Sequence, residues 1–248
     1  MSFEKIKRIA TNNQYEFVYK KKCKSTMLAL KELYNIKNKN YIIIADEQTN
    51  GVGRRGSIWH SPKGNIYCSM NFNGKIKIKD FFLFNILIVT SIKKVLEKFK
   101  LDNILFKWPN DIFFKNMKFA GIILEPYHSN DNENFVIIGL GINFKSSPKT
   151  EIYKTTYIKE FINLKDYNNF LEIFFLNFFN YIHDYLLKKN NLILEFKNSL
   201  MFLGKKIKIK INDKENISGI FKDINQDGAL ILDQGKKIVH LYSGSILI

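Results

Sequence analysis

The sequence is short of the features that staple or anchor a chain. Only two cysteines occur, Cys23 and Cys68, with no CxxC pair and no His-rich companion segment. Neither a disulfide framework nor a zinc site has support, and a reducing cytoplasm suits the free thiols. No run of about 18 apolar residues exists for a membrane span, and the N-terminal MSFEKIKRIATNNQYEFVYK lacks the unbroken apolar run of a signal peptide. The apolar run Phe81 to Val89 is broken by Asn85 and reads as the start of a buried helix. There is no GxxxxGK[ST], which excludes a P-loop, and no helix-turn-helix, zinc-finger or RNP-type pattern.

Acidic residues are also few, 23 Asp and Glu against 39 Lys and Arg, for a formal net charge of +16. Most of the excess is lysine scattered along the chain among Asn and Ile. It reads first as compositional bias at exposed positions, second as attraction to an acidic protein or a phosphorylated ligand, and last as nucleic-acid binding. With 248 residues, 46% hydrophobic and 25% charged, the chain suits a soluble globular protein of one large domain, or a large domain with a small appendage.

Period-2 alternation predicts a strand in NYIIIADEQT (40–49) and another in GNIYCSMNF (64–72), joined by a long Gly-rich loop. Residues 80–100 have helical spacing, with Asp80 as N-cap and lysines toward the C-terminus. Residues 103–126 read as strand, interruption at Pro109, strand, turn near Lys115 to Lys118, and strand. NFVIIGLGINF (134–144) reads as a strand ending in a Gly-x-Gly turn. Residues 165–200 hold no Gly or Pro and predict one or two helices packed on the sheet. From Gly204 onward, alternating segments and Asn-Asp, Asp-Gly and Gln-Gly turns predict a small β-barrel or sandwich.

Three segments carry chemistry. In GVGRRG the glycines free the backbone to present N–H groups to an anion, while Arg54 and Arg55 supply bidentate charge; a solvated surface turn would read the same way. In KWPND (107–111), Lys107 is a point charge for a phosphoryl or carboxylate oxygen, and Asn110 and Asp111 are oxygen ligands suited to phosphate-bound Mg²⁺. A packed Trp108-Pro109 corner with Asp111 as turn former is the competing reading. In GLGIN (139–143), Gly139 and Gly141 let backbone approach a ligand, and Asn143 offers donors and acceptors. The missing third glycine sets this turn apart from a dinucleotide fingerprint.

Ser25-Thr26, QTNGVGRRGSIWHSPKGNIYCSM, KWPNDI, KFAGIILE, IGLGINF and GIFKDINQDGALIL, in that order, resemble the bacterial biotin protein ligase family from about residue 20 to the C-terminus. The resemblance implies an α+β fold: a class II synthetase-like mixed sheet flanked by helices over residues 1–200, and an SH3-like β domain over 201–248. It implies conversion of biotin and ATP to biotinyl-5′-AMP, with Mg²⁺, and transfer of biotin to a lysine of a biotin carboxyl carrier protein. Ser25, Thr26 and Gln48 match positions that bind the ureido ring, and Gly51 to Gly56 match a loop that closes over the intermediate. Arg54 and Arg55 match contacts to biotin and nucleotide, Trp59 walls the site, and Gly121 falls in the biotin pocket. Lys107 matches the lysine bridging biotin carboxylate and α-phosphate. Asn110 and Asp111 would hold phosphate and metal or receive the acceptor lysine, with Lys118 near phosphate and Asn143 near adenine.

Two positions depart from the family pattern. Val52 stands where GRGRRG has its first arginine; if that arginine retains the adenylate, this protein releases it more readily. Met27 stands where Asn commonly follows Ser-Thr. About 20 residues precede the first matched segment, too few for the DNA-binding domain of longer members, so the expectation is a cytoplasmic, monofunctional ligase with no operator and no membrane. A homodimer is left open. The rivals are a lipoate or octanoate ligase of the same fold, which usually shows RRxSGGG, and a non-catalytic RNA-binding module, which leaves KWPND and GLGIN unexplained.

Overall fold

A computed structural model describes residues 3–37, 39–72, 81–128, 134–151, 153–163, 167–185 and 189–247. The first strand, β1 (Glu16–Lys20), follows helix α1 (Glu4–Asn12); α2 (Thr26–Lys37) leads to β2 (Tyr41–Ala45) and β3 (Ile66–Phe72). Helix α3 (Leu83–Glu97) precedes β4 (Ile104–Lys107), β5 (Asp111–Phe114), β6 (Met117–His128) and β7 (Asn134–Ile142). Helices α4 (Asn168–Tyr185) and α5 (Lys189–Lys197) then lead to β8 (Lys206–Lys210), β9 (Asn216–Ile224), β10 (Leu230–Asp233), β11 (Ile238–Leu241) and β12 (Ser245–Ile246).

Strands β1 to β7 form one mixed sheet in the order β1-β2-β3-β7-β6-β5-β4, with β1 and β2 parallel and the other neighbours antiparallel. Because side chains alternate along a strand, each face has its own core. Ile42, Ile44, Cys68, Met70, Ile112, Ala120 and Ile142 join the large core that α1, α3, α4 and α5 cover. Tyr41, Ile43, Phe135 and Ile137 face the other way and pack on Met27, Leu30 and Tyr34 of α2. Helix α2 covers only part of that second face, and the uncovered part holds the site.

Register pins what lies there. Lys20, Ala45, Tyr67, Gly141, Gly121, Asp111 and Lys107 are successive cross-strand partners, one row across all seven strands. A one-residue slip would turn the whole row into the large core, so the apolar pattern that fixes the core also fixes the row.

The structure corrects one expectation. GLGIN is not a turn: Gly139 and Gly141 lie inside β7, paired with Ser69 and Tyr67 of β3 and with Ile123 and Gly121 of β6. The glycines answer to side chains arriving from elsewhere. A Cβ on Gly141 would lie 2.6 Å from Trp59 Cε2 and Nε1, and one on Gly139 would lie 2.7 Å from Met27 Sδ. Of the helix expected over 80–100, 83–97 is α3; Asp80 lies outside the described residues.

The C-terminal strands form a separate antiparallel sheet, β11-β10-β9-β8-β12, the expected SH3-like unit. It shares core with the main sheet through Ile207, Ile209, Phe221 and Leu230. Trp108 is 1% exposed and donates its indole N–H to Gly228 O at 3.0 Å, while Phe82 lies against Gly228. Trp108 and Pro109 are thus the packed corner joining the two sheets, and their charged neighbours in KWPND are left facing the site.

Candidate active site

A cavity of about 460 Å³ opens over the uncovered face. Its floor is Gly121, Gly139 and Gly141 with Ile123 and Ser69; its rim is the loop from Val52 to His60, the N-terminus of α2, and Pro148, Thr150, Tyr153 and Thr155. Ser245 reaches it from the C-terminal sheet. The expected residues Ser25, Thr26, Gln48, Arg54, Arg55, Trp59, Asn110, Asp111, Lys118, Gly121 and Asn143 all line it. Gly51 and Lys107 do not.

One end is neutral and hydrogen-bonding. Ser25 precedes α2 and its carbonyl accepts the Ala29 N–H at 3.0 Å, and Ser25, Thr26 and Met27 at the start of the helix line the cavity. Thr26 donates its backbone N–H to Gln48 Oε1 at 2.8 Å. The Thr26 hydroxyl lies 3.1 Å from the same oxygen and 2.7 Å from Ser69 Oγ. Gln48 Nε2 donates to Ser61 Oγ at 2.9 Å.

The other end is cationic. Lys118 Nζ is 2.7 Å from Asp111 Oδ1 and lies over the Trp59 and Tyr153 rings at 5.2 and 5.0 Å. Arg54 reaches across from the loop to Asn110 Oδ1 at 3.4 Å, and burial, then Arg55, press its pKa below the ordinary arginine value. Asn110 is itself anchored, Nδ2 donating to Ile122 O at 3.0 Å. Asn143 is buried and donates to Thr156 O at 3.2 Å.

Lys107 sits beside Asp111 in the cross-strand row, 7% exposed, its ammonium 5.9 Å from the Phe113 ring centre. Desolvation lowers its pKa, Asp111 opposes that and Lys118 adds to it. Among the described residues its ammonium has no hydrogen bond and no ion pair, because Asp111 is engaged by Lys118. A buried ammonium without an acceptor is costly, and three cations share one carboxylate here. This is a site built for an anion.

Between the two ends, residues 51–59 form a small hairpin: Trp59 N–H donates to Gly51 O at 2.9 Å and Gly53 N–H to Ser57 O at 2.7 Å. Arg54 to Gly56 make its 3-10 tip, with Arg55 left-handed at φ 52°. The hairpin lays Trp59 on Gly121 and Gly141, where its indole N–H is buried without a partner. Gly51 is explained by packing: a Cβ there would lie 2.3 Å from Trp59 O and 2.5 Å from Ser61 Oγ.

Sequence reasoning missed Ser61, Ser69, Tyr153, Thr155 and Ser245. A serine at a wholly buried position of the apolar strand IYCSMNF was a signal for Ser69. Nothing local marks Tyr153 or Ser245, which arrive from distant segments.

The cleft therefore takes a ligand that is neutral and hydrogen-bonding at one end and anionic at the other, on a mixed α+β scaffold. Residues 19–143 match the family model described as Biotin/lipoate A/B protein ligase family, and residues 202–248 match Biotin protein ligase C terminal domain. The chain belongs to the biotin/lipoate A/B protein ligase family. It is 30% identical over 217 residues to Bifunctional ligase/repressor BirA of Escherichia coli K12, over 82% of this chain and 64% of that protein. To the Biotin--[acetyl-CoA-carboxylase] ligase of Mycobacterium tuberculosis it is 22% identical, over 83% of this chain and 78% of that protein. The chain thus spans just under two thirds of the length of the Escherichia coli relative. The fold matches the Aquifex aeolicus biotin protein ligase solved with biotin and ATP, with TM-score 0.74, 23% identity, and 93% and 97% of the two chains covered. Among the described residues, no helix is long and apolar enough to cross a membrane.

Proposed function

We propose that this chain is an ATP-dependent biotin protein ligase of the cytoplasm. In the first step a biotin carboxylate oxygen attacks the α-phosphorus of ATP, forming biotinyl-5′-AMP and releasing pyrophosphate. In the second a lysine amine of a biotin carboxyl carrier protein attacks the acyl carbon and displaces AMP. The observation that carries this reading is one cavity with a hydrogen-bonding end at Thr26, Gln48 and Ser69 and an anion-seeking end at Arg54 and Lys118, with Lys107 beside Asp111 in the adjoining row. The C-terminal match and the names of the relatives favour biotin over lipoate, which the family as a whole also covers.

Two anionic reactants repel, so the main work is neutralisation and in-line placement. Ser25, Thr26, Gln48 and the Gly51 turn hold the uncharged head of biotin, and Trp59 with Gly121 bounds its apolar chain. Arg54, Arg55 and Lys107 draw the carboxylate and α-phosphate together; Lys107, buried without an acceptor, gains its partner when the anion enters. Lys118 and Asn110 take phosphate, and Asn143 the adenine side. Among the described residues Asp111 is the only carboxylate lining the cavity, and no cluster of three His, Cys, Asp or Glu exists. That donor set is no cage, but it fits Mg²⁺, which commonly binds through one or two carboxylates and substrate phosphates. Asn110 and Asp111 oxygens would hold the ion, which supplies neutralisation of phosphate charge. Residues 1–200 form the catalytic unit and 201–248 the small domain, which contributes Ser245 to the wall. The mode of action includes no operator DNA, and the chain acts alone or as a homodimer.

The test is exchange of labelled pyrophosphate into ATP. Exchange that requires biotin and is not supported by lipoate upholds the reading; exchange with lipoate alone transfers the assignment to the lipoate branch. Salt-sensitive RNA retention with no exchange favours a binding module.

A further inference from the structure

Five groups at the neutral end of the cavity form one hydrogen-bonded chain whose polarity follows from its members. The Trp59 carbonyl can only accept, so Ser61 donates its single hydroxyl hydrogen there, at 2.8 Å. Ser61 Oγ is then an acceptor for Gln48 Nε2, at 2.9 Å. At the other side of the carboxamide, the Thr26 backbone N–H can only donate, so the atom facing it at 2.8 Å is Oε1. The Thr26 hydroxyl also donates to Oε1, which leaves Ser69 to donate to Thr26, at 2.7 Å. Ser69, Thr26, Gln48, Ser61 and Trp59 thus point their hydrogens one way.

A carboxamide is planar. With both lone-pair directions of Oε1 taken by Thr26 and one Nε2 hydrogen held by Ser61, the direction of the second Nε2 hydrogen is set. Among the described residues that hydrogen has no protein acceptor, and Gln48 lines the cavity. Ser61 is 8% exposed, Thr26 3% and Ser69 0%, so water competes little for these bonds. The side-chain-free Gly51 is what lets Ser61 approach.

We infer that Ser61 is a positioning residue: it aims the one free Gln48 N–H into the cavity, next to the acceptor oxygens of Ser69 and Thr26, and so presets a donor beside an acceptor for the neutral head of the ligand. The complementary chemistry is a group with a carbonyl oxygen adjacent to an N–H, as in an amide or cyclic urea. Only the identity of the ligand rests on the biotin reading above; the Ser61–Gln48 contact stands without it. The same chain ends on the backbone of Trp59, which links head recognition to the arginine hairpin.

The experiment measures biotin and ATP affinities calorimetrically for wild type, Ser61→Ala, Gln48→Ala and the double variant, with melting temperatures as the fold check. In parallel, the carboxamide protons of the four glutamines are followed by NMR in ligand-free wild type, with Gln48 assigned through the Gln48→Ala spectrum. The expected result is at least a fivefold loss of biotin affinity in Ser61→Ala, ATP affinity within twofold, and less than twofold further change in the Gln48→Ala background. Unchanged biotin affinity, a parallel loss for ATP, or fully additive losses overturn the inference. If wild type takes no biotin, the ligand assignment falls and the protons alone decide. One slowly and one rapidly exchanging Gln48 proton uphold the role of Ser61, and two alike remove it. That spectrum also decides if Ser61→Ala fails to fold.

Discussion

Replacing Lys107 by methionine should make the ligand-free protein more stable and abolish the proposed adenylation. Lys107 is 7% exposed, and its one close anion, Asp111, is tied to Lys118 at 2.7 Å. The attraction it receives from Asp111 is therefore largely offset by repulsion from Lys118, as the two opposed influences on its pKa reflect. What remains is a partly desolvated ammonium with no protein acceptor among the described residues, a defect costing about 1–3 kcal/mol. Methionine has similar length and keeps the stem packed near Phe113, so the repacking cost is small. Lys107→Met should thus gain about 1–3 kcal/mol at pH 7 in urea denaturation. The pH dependence has a definite sign. The folded-state pKa lies below the ordinary lysine value of 10.5, so between the two the unfolded chain binds more protons and wild-type stability rises with pH. The advantage of Lys107→Met should shrink as pH climbs toward 10.5. Adenylation should fall about 10²- to 10³-fold, the scale of losing one charge-stabilising group. A variant less stable than wild type at pH 7 would mean that the ammonium is already well partnered in the ligand-free protein.

Gly141→Ala places a methyl 2.6 Å from the Trp59 indole. The ring must leave the sheet, which should redden tryptophan fluorescence, weaken biotin binding and cost about 1–3 kcal/mol at most in denaturation. Asn65 accepts the N–H groups of Phe144, Lys145 and Ser146 at 3.0, 2.9 and 3.1 Å and is 1% exposed. Asn65→Ala should cost about 2–4 kcal/mol and raise the KM for ATP more than that for biotin, since those residues lead into the wall at Pro148 to Thr155. Burial raises the pKa of both thiols, and Cys68 is 1% exposed. Iodoacetamide at pH 8 should modify Cys23 slowly and Cys68 only after unfolding; rapid double labelling of native protein would contradict the packing of β3.

The strands from 41 to 142 and the C-terminal sheet were legible because alternation and turn residues are local. The Asn-Asp and Asp-Gly signals after 204 and the break at Pro109 all fall where the chain turns. The elements α1, β1 and α2 were not assigned: α1 is amphipathic, burying Ile6 and Ala10, but it is only nine residues long, and the twelve-residue α2 has weak periodicity. GLGIN misled for a physical reason: its glycines normally mean a turn, but here they clear space for Trp59 and Met27, whose arrival depends on tertiary structure. Most of the residues named through motifs line the cavity, but the row from Tyr67 to Lys107 could not be read, because register between strands leaves no mark in one sequence. Nor could the Asp111–Lys118 pair, which decides that Lys107 is left without a partner.

In the proposed reaction the hydrogen-bonding and cationic ends of one cavity serve a biotin carboxylate and ATP, on the way to a protein lysine. It is tested most directly by mass spectrometry of a purified biotin carboxyl carrier domain after incubation with this protein and ATP, with biotin or lipoate. The expected result is an ATP-dependent mass gain of one biotinyl group on a single lysine, none with lipoate, and none with Lys107→Met. Modification by lipoate alone, or no modification together with no pyrophosphate release, would contradict it.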